Sequence, residues 1–156
     1  MSRIPLSNIG RSPMERLMGH APHILAPWVQ LEEAFFGSTT FPAGLLEQVR
    51  RTLAFSTGCR YCQAKAGPAA STHSDPKVAA AVELARFFAL DHRAIDDAAL
   101  APFRTKFSAA ELAELLAFMG FTWAGGTFGA VLGLQPRQAY ESSCSVEEPG
   151  NRTDCP

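Results

Sequence analysis

Residues 46–67 read LEQVRRTLAFSTGCRYCQAKAG, and this stretch decides how the rest of the chain is read. Leu46, Val49 and Leu53 recur at helical spacing, and the run ends at Ser56-Thr57-Gly58. A glycine after a periodic run stops one helix, and Ser56 or Thr57 can cap the next. Cys59 then falls in the first turn of a new helix, with Cys62 one turn on and on the same face. Free amides and the dipole at a helix N-terminus favour an anion, so a thiol there loses its proton more readily. A thiolate beside a second thiol can attack an oxidised substrate and then be resolved as an intramolecular disulfide. The competing reading is two small buried hydrophobes, a common use of free cysteine. A single CxxC with no second pair argues against a four-cysteine zinc site.

An acid, a twelve-residue step and then Cys-x-Tyr-Cys at a helix start are supplied by Glu47, Cys59, Tyr61 and Cys62. This pattern resembles the carboxymuconolactone decarboxylase-like, alkyl hydroperoxidase D-like (AhpD-like) superfamily. The resemblance covers roughly residues 20–134 and includes the later FSAAELAELLAFMGF. It implies a thiol-dependent antioxidant oxidoreductase that reduces a small-molecule peroxide or the disulfide of a partner redox protein. No cofactor is implied, and a homo-oligomer is. By family analogy Cys62 attacks, Cys59 resolves and Glu47 manages protons. Helix position points the other way, because the dipole acts most strongly on Cys59, so which thiol leads stays open. Redox-active members carry a His four residues after the second Cys, linking the acid to the thiols. Ala66 stands there in this chain, and His73 is the nearby imidazole that could substitute. Two other readings stand beside this one. One is a lyase like the family's lactone decarboxylases, which do not rely on a thiol pair. The other is a non-catalytic oligomeric or metal-binding module with Cys59, Cys62 and His73 as ligands. Glu47 and Arg51 stand four apart, so a surface ion pair is the plain alternative for the acid.

The chain's 156 residues suit one domain, and 47% hydrophobic with 19% charged residues is a globular balance. A net charge of −1 with no Lys/Arg run gives neither nucleic acid nor an anionic membrane an electrostatic handle. The opening MSRIPLSNIGRSP has no hydrophobic core segment, so the reading expects a cytoplasmic protein with reduced thiols.

Residues 1–11 read as an irregular arm, 12–134 as the helical domain and 135–156 as a polar tail with Cys144 and Cys155. Ser12-Pro13 starts a short helix that Gly19 closes. His20 and His23 flank Pro22 and read as surface residues. An apolar stripe from Ile24 to Phe36 either kinks at Pro27 or begins there, and Glu32 and Glu33 read as solvent-facing. The Glu47 helix starts near Pro42, and the CxxC helix runs to Ala69 or Ala70. Asp75-Pro76 opens a mostly buried helix. His92 reads as a helix-end charge, and Asp96 or Asp97 caps a short helix ending by Pro102. Ser108 and Glu111 form a capping box with Phe107 and Leu112 as its staple. From 115 to 134 no residue is charged, and glycines at 125, 129 and 133 let two backbones pack closely. Five glycines and the absence of a basic flank favour an interior or subunit-interface helix over a membrane span, with a break at Gly120. The expected fold is all-α, one bundle of about six or seven helices.

Overall fold

Leu46, Val49 and Leu53 lie on one stripe of the helix that carries Glu47, and all three are fully buried. That helix is the axis of the molecule. A computed structural model of the chain describes residues 1–136. Among them run seven α-helices: α1 (Pro13–Met18), α2 (Pro22–Gly37), α3 (Ala43–Ala54), α4 (Arg60–Ala66), α5 (Pro76–Asp91), α6 (Asp97–Arg104) and α7 (Ala109–Val131). A single 3-10 turn, His92–Ala94, separates α5 from α6. The fold is the all-α bundle that the periodicity predicts. Cys144 and Cys155 lie outside the described residues.

The core forms where α3 is pressed between α5 and α7. Leu45, Leu46, Val49 and Leu53 meet Ala80, Ala81, Leu84 and Ala85 on one side. On the other they meet Leu112, Leu115, Phe118 and Met119. The alanines of α5 let its backbone approach α3, and the larger side chains of α7 fill what remains. Each fully buried Leu or Phe contributes about 1.5–3 kcal/mol of transfer free energy. Phe35, Phe41, Phe103 and Phe107 close the ends, with edge-on ring contacts between Phe35 and Phe118 and between Phe41 and Phe107.

Most of the helix starts follow from caps visible in the sequence. Ser12 accepts from the Glu15 amide, Asp75 from Lys77 and Val78, and Asp96 from Ala99. Ser108 and Glu111 complete a reciprocal capping box, and Glu111 also takes the Lys77 ammonium from α5. The breaks are less legible. Pro27 neither starts nor stops α2, and α6 runs through Pro102 to Arg104. α7 continues through Gly120 as one helix of 23 residues. A glycine inside a helix costs only about 1 kcal/mol against alanine, and burial of the flanking Phe118 and Met119 outweighs it. α5 buries its first half, yet Phe87 and Leu90 near its end are exposed. No helix among the described residues is long and apolar enough to cross a membrane.

Residues 1–11 contain no regular element but are tied down. The Arg3 amide donates to the Leu132 carbonyl at 2.7 Å, and the Arg16 guanidinium donates to the Ser7 carbonyl at 2.7 Å. His20 Nε2 lies 2.7 Å from the Pro5 carbonyl, and His23 is exposed. The arm thereby fixes α1 against the end of α7, which matters for the site.

Candidate functional site

The turn between α3 and α4 brings the two cysteines together. Thr57 does not cap α4; its hydroxyl turns back to the Ala54 carbonyl. Gly58 has φ of +74°, a left-handed conformation that favours glycine, and it redirects the chain. Cys59 is itself the N-cap, so the helix starts two or three residues later than a cap at Thr57 or Ser56 implies, and its Sγ accepts the Cys62 amide at 3.1 Å. α4 ends at Ala66, short of the expected Ala69 or Ala70, because Gly67 takes φ of +65°. Cys59 and Cys62 form a disulfide across this one turn, with their Cα atoms 5.2 Å apart. Cys59 is fully buried and Cys62 is half-buried. A cap amide aimed at Cys59 stabilises its thiolate, which makes it the better leaving group when Cys62 is attacked.

The wall behind the disulfide is the glycine-rich half of α7. A Cβ built on Gly129 would stand 2.6 Å from Cys59 Sγ and 3.0 Å from Met14 Cε. One on Gly126 would stand 2.8 Å from Thr57 Cβ, and one on Gly125 3.3 Å from the Trp28 ring. The glycines thus admit the CxxC turn and an aromatic ring, whereas the four-residue repeat suggests a helix backbone.

In front of Cys62 lies a cavity of about 110 Å³. Trp28, Phe36, Phe118, Phe121, Met14 and Met18 supply its apolar walls. Its polar lining comes from Ser12, Glu15, Glu32, Arg50, Tyr61 and Lys65. Glu32 therefore departs from the solvent-facing reading: it is half-buried here, while Glu33 beside it is exposed. The Tyr61 amide donates to the Leu134 carbonyl at 3.3 Å, tying α4 to the end of α7. Burial raises the Tyr61 pKa above its ordinary value; a Ser12 hydrogen bond opposes this, while Glu15 and Glu32 add to it. Burial also pushes Glu15 up, but amide bonds from Arg11 and Ser12 and the Ser12 hydroxyl hold its carboxyl below the ordinary value.

Glu47 does not line this cavity. Arg50 donates to both of its oxygens at 2.7 Å, and Arg51 donates to Oε1 at 2.9 Å. The ion pair with Arg51 offered by sequence spacing is present, and a shorter bidentate pair with Arg50 accompanies it. Hydrogen bonds from Arg50 hold Glu47 below the ordinary carboxylate value against the upward push of burial, and Arg51 adds to the lowering. Arg50 carries the link onward, since it lines the cavity and Glu47 clamps it. His73 sits in the loop between α4 and α5, is half-buried and is absent from the cavity lining. Its Nε2 is buried with no hydrogen-bond partner among the described residues. Ala66 is 2% exposed, so the position four residues after Cys62 holds a buried methyl group.

The structure thus joins Cys62 to Tyr61, which the sequence names as part of the motif without a role, and to Ser12, Glu15, Glu32 and Arg50, which it does not mark as site residues. Ser12 announces itself before Pro13 as a helix start, but nothing local says that α1 lies over α4. No group of three or more His, Cys, Asp and Glu placed to hold a metal ion occurs among the described residues. Neither the models of known protein families nor the curated protein sequences give a match to this chain.

Proposed function

We propose that the chain is a thiol-dependent oxidoreductase of the AhpD-like type that reduces a hydroperoxide through Cys62 and Cys59. One observation carries this reading: a one-turn disulfide with one sulfur on a cavity wall and the other sealed behind it. In the reduced protein the Cys62 thiolate attacks the terminal oxygen of R–O–O–H. The O–O bond breaks, Cys62 becomes a sulfenic acid, and the alkoxide leaves as an alcohol once protonated. Cys59 then attacks Cys62 Sγ, a water molecule departs, and the disulfide closes. An external dithiol attacks Cys62, expels the cap-stabilised Cys59 thiolate and returns both thiols. The same exchange applies to a partner protein's disulfide.

Support for Cys62 as the attacking group comes from access, and support for Cys59 as the resolving group from its burial. The lyase reading leaves the disulfide without a purpose. The metal-binding reading has no ligand set among the described residues. This proposal places the protein in the reducing cytoplasm. It also retains the homo-oligomer, to which the exposed Phe55, Phe87 and Leu90 lend an apolar face. Counting free thiols before and after one equivalent of hydroperoxide tests the chemistry. Two thiols should disappear from residues 59 and 62 and return with a dithiol. Cys62→Ser should abolish the reaction, and Cys59→Ser should stop it at the sulfenic acid. Peptide mapping that finds both cysteines still alkylated after oxidant would refute the proposal.

A further inference from the structure

We infer that Tyr61 is the acid of the peroxide-reducing step, its phenol protonating the departing alkoxide from within the Cys62 cavity. The inference rests on the thiol-oxidoreductase reading above and names a proton source that the reading lacks. An alkoxide is a poor leaving group, so breaking the O–O bond of an alkyl hydroperoxide calls for a proton delivered as the bond parts. The groups the sequence offers for this task do not meet it. Both oxygens of Glu47 accept from arginines, Ala66 has no proton to give, and His73 is not in the cavity lining.

Among the groups that do line the cavity, Glu15 and Glu32 are carboxylates and accept only. Arg50 is bound by Glu47, and Lys65 is exposed at the rim. Tyr61 precedes Cys62 by one residue, and its backbone N–H donates a hydrogen bond to the Leu134 carbonyl. Its phenol shares the cavity lining with Ser12 and Glu15. Ser12 Oγ donates to Glu15 Oε1 at 2.9 Å and accepts the Glu15 amide at 3.2 Å. Tyr61 thus stands in the same cavity wall as Cys62, beside a Ser12–Glu15 pair whose hydrogen bonds are made to each other. Because its pKa is raised, Tyr61 keeps its proton at neutral pH and acts as a donor. In the step, Cys62 Sγ gains oxygen, the O–O electron pair goes to the alkoxide, and the Tyr61 proton makes it an alcohol. The phenolate is then reprotonated from water.

A leaving group that needs no proton separates this role from a structural one. Single-turnover thiol loss of the reduced full-length chain is followed with tert-butyl hydroperoxide, which releases an alkoxide, and with peracetic acid, which releases a carboxylate. Tyr61→Phe, which keeps the ring, should lose about 100-fold with the first and less than about threefold with the second. Equal slowing with both would reduce Tyr61 to packing, and no slowing with either would remove it from the reaction; both results overturn the inference alone. Lys65→Gln reproducing the selective loss would transfer the role to the ammonium. A wild-type chain that keeps its reversible disulfide but ignores both peroxides would overturn the inference together with the reading beneath it.

Discussion

In its first half α7 sends Leu112, Leu115, Phe118 and Met119 into the core, whereas in its second half Gly125, Gly126 and Gly129 stand where side chains would otherwise be. Both halves are apolar, and as sequence they merge into one hydrophobic run. Their physics differs in sign. The first half stabilises the fold by filling volume against α3, and the second positions the site by leaving volume for Cys59, Thr57 and Trp28. Hydrophobicity alone describes the first and misses the second, because clearance is a property of the neighbour as much as of the glycine.

The largest effect is expected in the filled half. Leu115 is fully buried, so Leu115→Ala should cost about 2–5 kcal/mol of unfolding free energy. Urea unfolding of the oxidised protein measures it, and a loss below 1 kcal/mol would mean the core collapses around the gap. Gly129→Ala asks the opposite question by adding a methyl group 2.6 Å from Cys59 Sγ. Overpacking of this kind costs about 1–3 kcal/mol. The cost should be greater in the oxidised form, because a disulfide ties the sulfur in place while a reduced Cys59 can turn away. Equal losses with and without dithiothreitol would show that the clearance serves the helix rather than the disulfide.

Between the two halves, Glu47 and Arg50 link the core helix to the cavity. Glu47→Gln should cost about 1 kcal/mol at neutral pH, since the side chains are partly exposed and water screens the pair. A carboxylate with a depressed folded-state pKa contributes stability that is present above its unfolded pKa and fades as pH falls through the folded one. The gap between wild type and variant should therefore close in acid below the ordinary carboxylate range. A gap that persists there would assign the loss to packing rather than charge.

How far the sequence reveals all this depends on the range of the forces involved. Caps at Ser12, Asp75, Asp96 and Ser108 act within a few residues, and each is legible and present. The stripe of Leu46, Val49 and Leu53 is legible as a buried face for the same reason. Breaks are not, as Pro27, Pro102 and Gly120 show, because tertiary burial decides whether a weak helix position is tolerated. The cysteine pair is legible from spacing, but its surroundings are not. Glu32 reads as solvated beside Glu33, and only the packing of α2 against α7, with Trp28 4.5 Å from Phe121, places it in the cavity. Ser12 and Tyr61 lie 49 positions apart in the chain, and no local rule joins them.

Gly120 sharpens the comparison because it lies in the same helix, nine residues before Gly129, and a Cβ there would meet nothing within 4 Å. It is exposed and helical, so it has the conformational cost of glycine without any clearance to justify it. Gly120→Ala should therefore stabilise the protein by about 0.5–1 kcal/mol, through better helix propensity and a less disordered unfolded chain. The same substitution then has opposite signs at 120 and 129, and position alone separates them. Thermal unfolding at low protein concentration measures the gain. A loss that grows with protein concentration would instead show that a second copy of the chain approaches α7 at Gly120. The glycine would then be leaving room for another backbone, as Gly129 leaves room for sulfur.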